Sequence, residues 1–328
     1  MKKVRLGLIG LGYMGKIHLR NCLNLKSAKL TAVCDISKRA LRHAKKVGVK
    51  NTFTDYQQLL RDQKIDAVII ALPTHLHKKC AQKAAQAGKD ILIEKPLARS
   101  VKEGKEILSA AKMNGVKTMV GYPLRFAPSF ISLNKKIRSG ILGEVQSAYA
   151  TYIASGPFFH RGEQGIPRPV PEWWFKKEMM GGGALIDQGI HLINLLRWYF
   201  GEITDIKSYL GYRFNMDIED QATCIAKFKS GTISIINVGW FSIDYQLKIE
   251  LLGTVKNVSA YRNPSNPIAT VIQQLVTNTS EFWAPQVNEL EHFAQCVKHD
   301  LPPKSSGNDA LRDLEAISLA YENEIPLD

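Results

Sequence analysis

Short apolar runs set the rhythm of the first third of the chain. Residues 4–10 (Val-Arg-Leu-Gly-Leu-Ile-Gly), 29–35, 67–72, 90–93 and 117–121 read as strands, and the segments between them carry helical spacing. Helices are expected at about 14–26, 37–46, 55–62, 76–87 and 101–113, with Gly88 stopping the fourth. Apolar strands alternating with helices predict a parallel sheet covered on both faces. The alternation ends near Gly121-Tyr122-Pro123, which sets a first domain at 1–122 and a second at 123–328.

The second half changes pattern. After a helix at 128–138 come strand-like runs at 144–154, 205–213, 221–228, 232–240 and 246–252, with Ser230-Gly231 as a hairpin turn. One long helix is expected around 184–199 and another at 308–321, packing back on the body. Strands in succession predict an α+β domain on a large, mostly antiparallel open sheet. A Pro-rich loop, Ile166 to Trp174, interrupts it; Pro167, Pro169 and Pro171 would make it stiff and extended.

Composition narrows the class. The 328 residues suffice for two domains, and no apolar run reaches the roughly 20 residues that a bilayer requires. The opening Met-Lys-Lys-Val-Arg lacks a signal-peptide core, so a cytoplasmic protein is expected. Five scattered cysteines (Cys22, Cys34, Cys80, Cys224, Cys296) fit a reducing compartment and offer no zinc spacing. The formal charge of +14 is uneven: residues 1–122 hold 25 Lys and Arg against 8 Asp and Glu, and the remainder is slightly acidic. No recognition motif accompanies the basic excess, so nucleic acid is not the expected partner.

Gly10-Leu11-Gly12-Tyr13-Met14-Gly15 matches GxGxxG, between a strand and a helix. Glycines there allow a tight turn and close approach of backbone to pyrophosphate, and the helix N-terminus offers free N–H groups. Asp35 follows at the end of the second strand, 20 residues after Gly15, where a carboxylate takes ribose hydroxyls. Asp35 favours NAD; Ser37, Lys38 and Arg39 beside it leave NADP open. No metal is expected.

Three further motifs carry a resemblance. Ala71-Leu72-Pro73-Thr74-His75-Leu76-His77 follows the third long strand, Ile93-Glu94-Lys95-Pro96-Leu97 ends the next, and Gly181-Gly182-Gly183-Ala184-Leu185-Ile186-Asp187-Gln188-Gly189-Ile190-His191 lies in the second domain. Together they resemble the Gfo/Idh/MocA oxidoreductases over nearly the whole chain. The resemblance implies a Rossmann domain, an open-sheet domain that often forms dimers or tetramers, and a cis Lys95–Pro96 bond. It implies Lys95, Asp187 and His191 as catalytic residues. Implied cofactor contacts are Gly10, Gly12, Tyr13, Met14, Gly15, Asp35, Ile36, Arg39, Leu72, Pro73, Thr74, His77, Glu94 and Lys95.

The chemistry is consistent with the residue types. A lysine past the C-terminal end of a parallel strand can steady a developing oxyanion. Asp187 and His191, four apart on a helix, share one face, so the carboxylate can orient the imidazole. Asn194 and Trp198 continue that stripe; the family often has a carboxylate at position 194. Tyr122, Arg125, Tyr152, Trp173 and Trp174 are weaker substrate candidates, with Phe126 beside Arg125 and His160, Arg161 and Arg168 in the Pro-rich loop. The expected activity is oxidation of a secondary hydroxyl of a cyclitol, sugar or sugar derivative, inositol first. A nucleotide-sugar dehydrogenase, an oxidation-assisted glycosidase and a cofactor-binding sensor stay open.

Overall fold

A computed structural model describes residues 3–157, 170–262 and 284–326. Two compact units emerge, Met1–Pro123 with Trp283–Leu311, and Leu124–Phe282 with Arg312–Asp328.

In the first unit, β1 (Val4–Ile9), β2 (Ala28–Cys34), β3 (Asn51–Phe53), β4 (Ala67–Ile70), β5 (Asp90–Ile93) and β6 (Thr118–Val120) form one parallel sheet in the order 3-2-1-4-5-6. Helices α1 (Tyr13–Cys22), α2 (Lys38–Lys46), α3 (Tyr56–Arg61), α4 (Thr74–Gln86) and α5 (Val101–Met113) alternate with the strands. All four residues of β4 are fully buried, as expected for a strand covered on both faces. β1 and β4 are neighbours with their following connections running to opposite sides of the order, the switch point at which such sheets bind ligands.

The second unit contains α6 (Pro128–Arg138), β7 (Val145–Ile153), α7 (Lys177–Met180), α8 (Ile190–Phe200), β8 (Ile203–Gly211), β9 (Gln221–Phe228), β10 (Ile233–Gly239), β11 (Gln246–Gly253) and β12 (Asn257–Arg262). Its sheet runs β12-β11-β7-β10-β9-β8, antiparallel except for β7 beside β10. Along β9 every second residue is buried, so one face carries Ala222, Cys224, Ala226 and Phe228 into the core. The Ser230-Gly231 turn joins β9 to β10, with Gly231 at φ +93°, where a side chain would be strained.

Two features depart from expectation. The helix expected from residue 184 opens instead as a π turn, Leu185–Gly189, before α8 begins. The C-terminal part of the expected 123–328 domain is also shared between units, because α9 (Ala284–His299) and the segment after it serve the first one. The Glu291 carboxylate accepts the Lys26 and Ser27 N–H groups, the latter at 3.1 Å. Val120 N–H donates to Ser305 O at 2.9 Å, and the Ser305 hydroxyl returns to Val120 O at 2.8 Å, covering the β6 edge. Helix α10 (Gly307–Glu322) follows.

Candidate active site

The first unit builds a dinucleotide site at the switch point. Gly10 has φ +95°, and a Cβ there would lie 2.3 Å from Ala71 O; one on Gly15 would lie 2.0 Å from Gly10 O. These glycines are required by packing alone. Gly12 is different: a Cβ on it would meet nothing within 4 Å. Helices α2, α3 and α5 start on Ser37, Asp55 and Ser100 side-chain caps, whereas α1 and α4, which follow β1 and β4, have none. Their N-terminal N–H groups are the donors suited to a pyrophosphate. Met14, Leu72 and Pro73 are half-buried at these two starts, while Thr74 is buried.

Asp35 stands at the end of β2. Its Oδ2 accepts Leu11 N–H at 2.6 Å and its Oδ1 accepts Ser37 N–H at 2.7 Å, which ties the glycine turn to the ribose position. A carboxylate accepts about four hydrogen bonds, so both oxygens keep capacity for ribose hydroxyls. Ile36 is 90% exposed, and Tyr13 and Arg39 are also exposed, leaving these side chains accessible to an adenosine moiety. The residues fit a dinucleotide.

Lys95 follows β5 at the same sheet edge and is half-buried; its bond to Pro96 is cis. Two of the expected cofactor contacts, His77 and Glu94, have polar atoms engaged inside the unit. His77 lies between two carbonyls, with Nε2 at 2.8 Å from Leu72 O and Nδ1 at 3.0 Å from Pro96 O. It clamps the β4–α4 turn to the loop after Lys95, and burial holds its pKa below the usual imidazole value against the pull of those carbonyls. Glu94 is buried, 2.6 Å from His18 Nε2, and accepts the Lys95 N–H at 3.3 Å. Burial pushes its pKa up, but the His18 hydrogen bond and charge, with Lys95 and His77, bring it below the usual carboxylate range.

The second unit holds the other group of expected residues. Asp187 sits in the π turn, half-buried, and its Oδ2 accepts the Trp240 indole N–H at 3.3 Å. His191 begins α8, 9% exposed, with its ring centroid 6.1 Å from that of Tyr152. Tyr152 in turn meets Tyr245 edge-on at 5.6 Å, and burial raises its phenol well above the usual pKa, with Tyr245 adding to the shift. Tyr152 is therefore a neutral hydrogen-bonding group beside the imidazole. π turns recur at functional sites because they re-aim side chains within a helix.

Arg125, a weaker substrate candidate, is bound to Asn194. Arg125 Nε donates to Asn194 Oδ1 at 2.8 Å and its guanidinium lies 5.6 Å from the Trp198 ring centroid, all buried or half-buried. Asn194 Nδ2 continues to Asp313 at 2.7 Å. A buried guanidinium needs acceptors, and Asn194 supplies them from its side chain and its main-chain carbonyl. Tyr122 is 1% exposed and so buried too. Trp173 and Trp174, in a short 3₁₀ turn, stack on each other at 5.5 Å. His160, Arg161 and Arg168 lie outside the described residues.

Sequence reasoning missed Trp240. The signal was present: Trp240, one residue past β10, keeps the parity of Ile236 and Val238, and all three are fully buried.

Residues 4–122 match the family model described as oxidoreductase family, NAD-binding Rossmann fold, and residues 130–258 match the GFO/IDH/MocA C-terminal domain. The chain belongs to the GFO/IDH/MocA oxidoreductase family. It is an oxidoreductase, and NAD is its cofactor. It is 30% identical to the scyllo-inositol 2-dehydrogenase (NAD(+)) of Bacillus subtilis (strain 168), over 99% of this chain and 96% of the relative. It is 29% identical to the inositol 2-dehydrogenase of Rhizobium meliloti (strain 1021), over 99% of both chains. Among solved structures, levoglucosan dehydrogenase in complex with NADH and levoglucosan has the same fold, with a TM-score of 0.85 at 22% identity over 98% of this chain and 97% of that one.

Proposed function

We propose that this protein oxidises a secondary hydroxyl of a cyclitol, an inositol first, with NAD as hydride acceptor. The observation that carries the reading is the full-length likeness to two inositol 2-dehydrogenases, one of them named for NAD(+), in a chain that carries Lys95, Asp187 and His191. NAD, when bound, accepts the hydride that leaves the carbinol carbon. Lys95 Nζ donates a hydrogen bond to the reacting oxygen and steadies its charge as the ketone forms. His191 takes the hydroxyl proton, and Asp187, held by Trp240, orients the ring. We further propose that the protein works in the cytoplasm, on its five free cysteines, and as a homo-oligomer.

The test is a panel of inositols, monosaccharides and nucleotide sugars with NAD or NADP, followed by absorbance of the reduced cofactor. Turnover on an inositol is expected, and Lys95→Ala or His191→Ala is expected to lower kcat by about 10²–10⁴-fold with NAD affinity kept. Full turnover by purified Lys95→Ala sinks the residue assignment. No turnover across the panel, with tight NAD retention, replaces the dehydrogenase reading with that of a cofactor-binding sensor.

A further inference from the structure

Two residues before β9, Glu219 reaches across to the π turn and helix that carry Asp187 and His191. Glu219 is 2% exposed, and its carboxylate accepts Gly183 N–H at 3.0 Å to each oxygen, Leu185 N–H at 2.9 Å and the Tyr321 hydroxyl at 2.8 Å. Its main-chain carbonyl accepts Ala184 N–H at 2.9 Å. Three successive N–H groups at the start of the π turn therefore end on one residue. The next carbonyl, of Asp220, accepts Trp240 N–H at 2.8 Å, and the Trp240 indole reaches Asp187. Glu219-Asp220 thus holds the π turn from its N-terminal end and, through Trp240, from the carboxylate side.

Two of the three successive glycines are explained by this contact. A Cβ on Gly183 would lie 1.8 Å from Glu219 O, and one on Gly182 would lie 2.1 Å from the Tyr321 hydroxyl oxygen. Local caps such as Ser37 and Asp55 serve helices elsewhere in the chain. A buried glutamate drawn from another segment is a costlier device, since desolvation must be offset by donors on both oxygens. The result is a turn fixed in place at its entrance, from Gly183 to Leu185.

We propose that Glu219 is a positioning residue, which fixes the π turn so that Asp187, and through it His191, stand where the reacting hydroxyl requires them. This rests on the assignment of Asp187 and His191 as the catalytic pair. Glu219→Gln puts an amide N–H₂ where a carboxylate oxygen receives Gly183 N–H. It is expected to lower kcat by about 10²-fold, the usual effect of a misplacement near 1 Å, with the KM for NAD unchanged. In a His191→Ala background the same change is expected to cost nothing further, because the residue acts through His191. An equal fractional loss in both backgrounds, or no loss in the single variant, overturns the proposal.

Amide exchange provides a readout independent of turnover. Glu219→Gln is expected to speed exchange at Gly183 and Leu185 by about tenfold, the equivalent of one or two lost hydrogen bonds, and to leave the amides of β1 and β4 unchanged. Unchanged exchange at Gly183 and Leu185 overturns the anchoring even if no substrate is found, so its failure is separable from that of the proposed activity. If Glu219→Gln does not fold, Tyr321→Phe removes one donor and keeps the backbone bonds. That variant is expected to lower kcat and speed the same exchange by about threefold, and wild-type values in both overturn the proposal.

Discussion

Glu94 and Glu289 are both buried acids of the first unit, yet their surroundings drive them to opposite protonation states. Glu94 meets His18, Lys95 and His77, and these hold it ionised against its burial. Burial lifts Glu289 well above the usual carboxylate pKa and the Glu94 charge lifts it further, with only the Tyr122 N–H opposing. Glu289 is therefore a neutral acid at pH values where an exposed glutamate is ionised. The sign follows from linkage. The folded chain binds this proton more tightly than the unfolded chain, so the contribution is present at acid pH and declines above about pH 4.5, until the folded group itself ionises. Glu94 acts in the opposite sense: its contribution is present above the ordinary carboxylate pKa and is lost as the pH falls below it. Glu289→Gln keeps the shape and cannot ionise. Thermal unfolding from pH 5 to 9 is expected to show a rising stability advantage of the variant with pH. A constant offset across that range would mean that Glu289 is already ionised when folded.

At the scale of elements, α8 is joined to its neighbours by charge as well as by its apolar residues. Arg125, Asn194, Asp313, Arg197, Glu202 and Arg312 form a continuous polar chain between the segment before α6, α8, the β8 entry and α10. Asp313 is fully buried, and the Arg197 side chain opposite it is 3% exposed. Removing one member of such a pair strands the other, so Asp313→Leu is expected to cost about 3–5 kcal/mol in urea unfolding; a loss under 1 kcal/mol would show that Glu202 alone satisfies Arg197. This chain also marks what could be read beforehand. The strands of the first unit were readable because runs such as Ala67–Ile70 are apolar throughout and bounded by helical spacing. The glycine turn and Asp35 were readable for the same local reason. Helix α8 was readable but its faces were not, because nearly all of it is buried and Asn194 continues the Asp187–His191 stripe. The π turn has no local signature at all: it depends on Glu219, which lies 36 residues beyond Gly183. The return of α9 to the first unit depends in the same way on Glu291 meeting Ser27 across 264 residues.

For the whole molecule, one surface has the pattern of an interface between copies. The face of the second sheet opposite Ala222, Cys224 and Ala226 carries an apolar row in register, Tyr149 beside Ile235 beside Ile225. These side chains are 44%, 38% and 48% exposed, and Ile233 next to them is 47% exposed. The row is bounded by Glu250 on the β11 side and Lys207 on the β8 side. An apolar centre with a charged rim is the anatomy of a protein interface, and a two-fold pairing would set the same patch against itself. A membrane is a poorer occupant, since Lys207, Lys227, Lys248 and Glu250 mix both signs around the row and no helix among the described residues is long and apolar enough to cross one. The homo-oligomer proposed above is therefore expected to assemble through this sheet. Ile225→Glu with Ile235→Glu places four like charges at the centre of a paired face and leaves every inward residue of β9 and β10 in place. Sedimentation velocity is expected to show an oligomer for the parent chain and a monomer for the double variant, with unchanged far-UV circular dichroism and NAD affinity. A parent chain that sediments as a monomer at micromolar concentration, or a double variant that stays assembled, would remove this face from the assembly.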